Sequence, residues 1–196
     1  SFGNPGGNPA MLQPIMRFGL ALYLAAAWLL PIPAHSAVPQ RVISAQCDEA
    51  AATAARQSGV PIDVLLAVTR TETGRRSEGV LVPWPWTVNM EGAGRWFATE
   101  DEARAYVFQH FKRGARSFDV GCFQINYKWH GQAFRSIDEM FDPAANADYA
   151  ARFLKALYGE FGDWSKAAGA YHSRTPSYAD RYATRFDRIR GRVPRH

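Results

Sequence analysis

The 196-residue chain is 47% hydrophobic and 21% charged, carries a formal net charge of +5 and has two cysteines. That length supports one well-packed domain and falls short of two comfortable ones, and the ordinary charged fraction excludes wholesale disorder. The modest basic excess suits an anionic partner such as a cell wall or a lipid surface; no nucleic-acid partner is read from it.

Residues 1–10 have no targeting character and read as an extension or tag. Residues 11–37 have the layout of a signal peptide. Met11 is a start, Arg17 a positive n-region, Phe18 to Leu30 an apolar run, and Ala34-His35-Ser36-Ala37 a small-residue cleavage site. The run is shorter than the roughly 20 residues a membrane-spanning helix needs, so export to the periplasm is expected, with no stable membrane span after cleavage. An uncleaved anchor is the alternative. In an oxidising compartment Cys47 and Cys122 are expected to form a disulfide, with two buried thiols as the other reading.

Residues 38–44 read as a linker, residues 45–190 as one mainly α domain, and residues 191–196 as a basic tail that should not pack. Gln46 to Ser58 is an alanine-rich helix stopped by Gly59, and Pro61 opens the next, which ends at Gly74. Val82 to Phe97 alternates Trp84, Trp86 and Val88 before a turn at Glu91 to Gly94, a small β-hairpin or irregular flap. Thr99 with Glu102 forms a capping box for a helix that Gly114 stops. Asp142-Pro143 caps a long helix with Ala147, Ala150, Phe153, Leu154 and Leu157 inward. Two shorter helices follow, Trp164 to Ala170 and Tyr178 to Ile189.

Three places carry chemistry. Glu72 follows Leu65 and Val68 on the apolar face of its helix. A carboxyl among apolar side chains has its charged form disfavoured, and one still protonated near neutrality can donate to a glycosidic oxygen. The plain alternative is a solvent-facing glutamate paired with Arg75 or Arg76. In Gly121-Cys122-Phe123-Gln124-Ile125-Asn126, the glycine permits a close backbone approach. Gln124 and Asn126 are amides that can bind N-acetyl and hydroxyl groups of a sugar, or else satisfy backbone groups where a loop enters a short helix. In Ala167-Ala168-Gly169-Ala170-Tyr171-His172, small residues let two helices approach, and Tyr171 projects from their junction, toward a carboxylate or simply at the rim of a core. Trp84, Trp86 and Trp96 either pack the flap or stack on sugar rings, packing being the simpler role. The histidines His110, His130 and His172 lack metal-ligand spacing, and no metal or cofactor is implied.

Glu72-Thr73-Gly74, the Gly121–Asn126 segment and Ala170-Tyr171, in that order, resemble the motifs of the Slt-type lytic transglycosylases of the lysozyme superfamily, over about residues 45–190. The form Asp119-Val120-Gly121-Cys122-Phe123-Gln124-Ile125-Asn126, with the longer insertion after the glutamate, is most similar to the branch that serves flagella, pili and type III or IV secretion systems. The resemblance implies a lysozyme-like, goose-type/Slt catalytic domain with a small β insertion. It also implies Glu72 as catalytic acid/base, Gln124, Asn126 and Tyr171 in the substrate site, and peptidoglycan glycan strands as substrate. Flagellar rod or secretion-system components are implied as further partners. Thr73 stands where the family has serine, Cys122-Phe123 where it has Leu-Met, and His172-Ser173-Arg174 where it has Asn-Ala-Gly. Asp119, the nearest second carboxylate, reads as structural. A water-using muramidase and a non-catalytic wall-binding scaffold share these features.

Overall fold

In the computed structural model, residues 39–194 are described. The expected extension and signal segment, residue 38 and the last two residues lie outside that range. Eight helices and six short strands follow in chain order: α1 Gln40–Ser58, α2 Ile62–Thr73, β1 Arg75–Ser77, β2 Val80–Val82, β3 Thr87–Met90, β4 Ala93–Trp96, α3 Glu100–Lys112, β5 Phe118–Val120, β6 Ile125–Asn126, α4 Tyr127–His130, α5 Ile137–Phe141, α6 Pro143–Phe161, α7 Trp164–His172 and α8 Pro176–Arg190. The mainly α expectation with a β insertion holds. No helix among the described residues is long and apolar enough to cross a membrane.

Local chemistry sets most boundaries. The side chains of Thr99, Asp142 and Asp163 each accept a hydrogen bond from a first-turn amide of α3, α6 and α7, satisfying groups that have no partner within the helix. Gly59 and Gly162 end α1 and α6 in the left-handed conformation, where a glycine costs least. Helix α2 is buried on nearly all sides: every residue from Asp63 to Thr69 is in the interior. It lies between α1 and α8, with α6 and α7 completing the helical layer. The α7–α8 approach depends on the small-residue run, because a Cβ at Gly169 would fall 2.8 Å from the Ala179 carbonyl oxygen. Phe118, Phe123, Phe141, Leu154 and Phe186 fill the core around Leu65 and Val68.

The β region is larger than a lone hairpin. Strands β3 and β4 form the expected hairpin, but β5 and β6 extend it into an antiparallel sheet of order β4-β3-β5-β6, and β1 and β2 make a separate hairpin. The glutamine segment is therefore a turn between paired strands, and β6 runs directly into the short helix α4. Registers place Val88 opposite Val120 and Val120 opposite Ile125, and these side chains are buried. One residue along, Asn89 stands opposite Asp119 and Asp119 opposite Asn126. The period of two thus sends one row into the core and a polar row to the other face.

Two further expectations are corrected. Residues 40–44 are not linker but the first turns of α1, whose alanine-rich helical sequence extends upstream because Ser44 and Cys47 bury against the domain. Val193 of the supposed free tail is half-buried and packs on the core, since an apolar side chain directly after α8 has core surface within reach.

Cys47 of α1 and Cys122 beyond β5 are joined in a disulfide, with Cα atoms 5.6 Å apart and a sequence separation of 75. It ties the first helix to the glutamine turn. Closing a loop of that length stabilises by about 4 kcal/mol in the chain-entropy account. The double substitution Cys47→Ser with Cys122→Ser should lower unfolding free energy by ~2–4 kcal/mol in denaturant titration. Thiol titration of the denatured, unreduced protein should find no free thiol; two would rule the bridge out.

Candidate active site

A cleft of about 620 Å³ opens between the sheet and the helices, lined by residues from α2, β3, β4, β5, β6, α4, α6, α7 and α8. Glu72, Gln124, Asn126 and Tyr171 all line it, so residues far apart in the chain converge on one volume.

Glu72 sits at the last turn of α2, half-buried in the cleft wall. Its Oε1 accepts a hydrogen bond from the Tyr182 hydroxyl at 2.7 Å; neither Arg75 nor Arg76 pairs with it. Burial raises its pKa from 4.5 to about 7; the Tyr182 hydrogen bond and the charge of Arg185 pull it down, and the charge of Asp119 pushes it up. The carboxyl is therefore poised between acid and base near neutrality, the range in which one group can give a proton and take it back.

Tyr182, like Trp129, Asn89 and Arg185, is a residue of this site that the sequence motifs did not name. Its spacing with Phe186 and Ile189 marks it only as an inward aromatic of the last helix, and nothing local marks its hydroxyl as the partner of Glu72. Burial and the charge of Glu72 push the hydroxyls of Tyr182 and Tyr171 well above the usual phenol range, so both remain neutral donors. Tyr171 donates to the Phe123 carbonyl at 2.7 Å, tying α7 to the glutamine turn while its side wall faces the cleft. His172 stacks on Tyr182, ring centroids 4.7 Å apart.

Asp119 belongs to this site more than its structural reading allowed. It lines the same cleft, and the register across three strands explains its environment. Asn126 Nδ2 donates to Asp119 Oδ1 at 2.8 Å and Asn89 Nδ2 to Oδ2 at 3.0 Å. Burial raises its pKa, and the two amides act against that rise by solvating the anion. The side chain of Asn126 is thereby engaged with Asp119, and its oxygen accepts from the Trp129 amide at 3.3 Å to cap α4. Gln124, in the left-handed conformation at φ 49°, donates from Nε2 to the carbonyls of Thr87 and Gly121 at 2.9 and 3.1 Å. This orients its side-chain carbonyl as the group left to meet a ligand.

The turn that carries Gln124 is held by the fully buried Asn146. Its Oδ1 accepts from the Phe123 amide at 2.9 Å, and its Nδ2 donates to the Val120 and Met140 carbonyls at 3.1 and 2.9 Å. Gly121 lies against it at φ +82°, and an added Cβ would come within 2.6 Å of Asn146 Nδ2. Both reasons require glycine.

The tryptophans divide by role. Trp84 and Trp86 are buried and pack the insertion. Trp96 and Trp129 are 53% and 72% exposed and line the cleft, flat apolar platforms of the kind sugar rings stack on. Trp96 is anchored by its indole N–H to the Thr73 carbonyl at 2.9 Å, next to Glu72 in the chain. No group of three or more His, Cys, Asp or Glu side chains among the described residues is placed to hold a metal ion.

The family model described as the transglycosylase SLT domain matches residues 92–184. That segment contains Asp119, Gln124, Asn126, Tyr171 and Tyr182 but not Glu72, which the fold carries to them from α2. The match accords with the Slt-type resemblance, implies transglycosylase chemistry on peptidoglycan, and agrees with the fold as a mainly α, lysozyme-like domain with a small sheet. No curated protein and no solved structure matches the chain.

Two predictions test the electrostatics. Followed by carboxyl NMR, the Glu72 titration should move up from about 7 in Tyr182→Phe, which loses the hydrogen bond to the anion, and down in Asp119→Asn, which loses a like charge. Shifts of the same sign would refute this account of the site. Because the folded-state pKa of Glu72 lies above the ordinary 4.5, the native state holds the proton more tightly than the unfolded chain. The resulting stability is full below pH 4.5 and is lost as pH rises through about 7. Glu72→Gln, neutral throughout, should therefore raise Tm at pH 8.5 and leave it nearly unchanged at pH 4.

Proposed function

We propose that this protein is a peptidoglycan lytic transglycosylase, exported to the periplasm, that cleaves the MurNAc–GlcNAc β-1,4 bond without water. The observation that carries the reading is a half-buried carboxyl, Glu72, held by Tyr182 in a cleft walled by Trp96 and Trp129, with a pKa of about 7. A protonated Glu72 donates to the bridging oxygen as the C1–O bond breaks, leaving an oxocarbenium-like centre on the MurNAc ring. The neighbouring N-acetyl oxygen of the substrate can shelter that centre, as in other substrate-assisted glycosidases, and the Asp119 carboxylate in the same cleft adds favourable charge. The C6 hydroxyl then attacks C1, giving its proton to the Glu72 carboxylate. A 1,6-anhydro ring closes, the acid is regenerated, and no water is consumed.

The form of the Asp119-to-Asn126 motif supports a role in opening the wall for a flagellum or secretion apparatus. A hydrolytic muramidase is the second reading, favoured by one observation. Asp119 is a second carboxylate, held by two amides beside the raised acid, the pairing in which one carboxyl protonates the leaving group and the other supports the cation.

Glu72→Gln should abolish sacculus clearing, a loss of at least ~10²-fold given what one acid/base group supplies, while the protein stays folded. Wild-type digests examined by mass spectrometry should contain 1,6-anhydroMurNAc ends. Reducing ends would assign the muramidase, and full activity in Glu72→Gln would show that Glu72 is not the acid/base. With protonated Glu72 as the starting acid, kcat/KM should fall as pH rises through about 7.

A further inference from the structure

We propose that Arg185 anchors a carboxylate of the peptide stem borne by the muramyl sugar, so that the cleft selects stem-bearing strands over bare glycan. The inference rests on peptidoglycan as the substrate and adds to it the feature of the strand that is recognised.

Arg185 lies one helical turn beyond Tyr182 on α8, so the two side chains share a face. Tyr182 points at Glu72, which its hydroxyl holds at 2.7 Å, and Arg185 lines the cleft together with Glu72 and His172. Its guanidinium is exposed and makes no ion pair among the described residues, whereas Arg190 binds Asp63 and Arg174 binds Glu160. The acids of the cleft do not supply a partner. Glu72 accepts from Tyr182, and both oxygens of Asp119 accept from amides. Burial and the charge of Arg185 lower the pKa of His172, so the imidazole is neutral at neutral pH and Arg185 is the cation at this end of the cleft.

A free guanidinium in a sugar-binding cleft calls for a planar anion. The hydroxyl and acetamido groups of the glycan are neutral; the negative charges within reach of the backbone are the carboxylates of the peptide attached to the MurNAc lactyl group. Arg181, one turn before Arg185 on α8, and Arg188, one turn after it, are both exposed and add positive charge to the surface on either side of it.

The test compares wild type with Arg185→Gln and Arg185→Lys on three strands: glycan with stems, the same glycan stripped by an amidase with the lactyl carboxylates that this frees converted to amides, and stem-bearing glycan with its carboxylates amidated. Wild type should favour intact stems over the other two in kcat/KM. Arg185→Gln should reduce that preference about tenfold, the size of one charged hydrogen-bonded contact, and Arg185→Lys should restore part of it. An equal effect of Arg185→Gln on all three strands, or no preference in wild type, would overturn the proposal and leave the glycan-cleaving reading intact. Binding of fluorescent strands to Glu72→Gln separates the two failures: equal affinity for all three strands refutes stem recognition alone, while no binding to any strand refutes both.

Discussion

The hydrogen bond from Tyr182 to Glu72 joins residues 110 positions apart, and the placement of the cleft depends on it. It fixes the end of α2, the most buried helix, against α8, which the chain reaches last. Alongside that bond, α7 and α8 close on one another across Gly169, and the insertion after α2 folds back so that the Trp96 indole donates to the Thr73 carbonyl. The carboxyl that results is deep enough to be raised to about 7 and open enough to the cleft to meet a ligand. Its cost falls on the folded state above neutral pH, where a buried anion has only Tyr182 and the field of Arg185 to support it.

The opposite wall is built by a different device. A short antiparallel sheet needs only its period of two to separate functions. Val88, Val120 and Ile125 turn inward and hold the sheet to the core, while Asn89, Asp119 and Asn126 form a row across three strands on the other face. That row places an acid between two amide donors without any long side chain having to find it. Asn146 and the disulfide then pin the turn between β5 and β6 from behind. Two anchors behind one tight turn leave Gln124 little freedom.

The two walls meet two different electrostatic requirements. Glu72 is desolvated and supported weakly, so it keeps a proton near neutrality; Asp119 is desolvated and supported by two amides, which favour its anion. Arg185 stands at the rim where these fields open to solvent. An acid, a second carboxylate and a guanidinium thus share one cleft, each in a different electrostatic environment.

Much of this was legible in the chain. Glu72 on an apolar helical stripe, Gly121 before Gln124, the small-residue run before Tyr171, the helix caps at Thr99 and Asp142 and the bulk of the α-helices are local patterns, set by periodicity and by the conformational demands of single residues. So was the pairing of Cys47 with Cys122, because two cysteines allow only one intramolecular bridge. Beyond local rules lay the role of Tyr182, the sheet that β5 and β6 add to the hairpin, the Asn89–Asp119–Asn126 row, the Asn146 anchor and the capture of residues 40–44 and Val193 by the core. Each is a contact between segments distant in sequence, decided by register and by which surfaces remain to be buried once the helices pack. A helix announces its own face in its spacing; which hydroxyl will meet a buried carboxyl is decided only when the helices have closed around it.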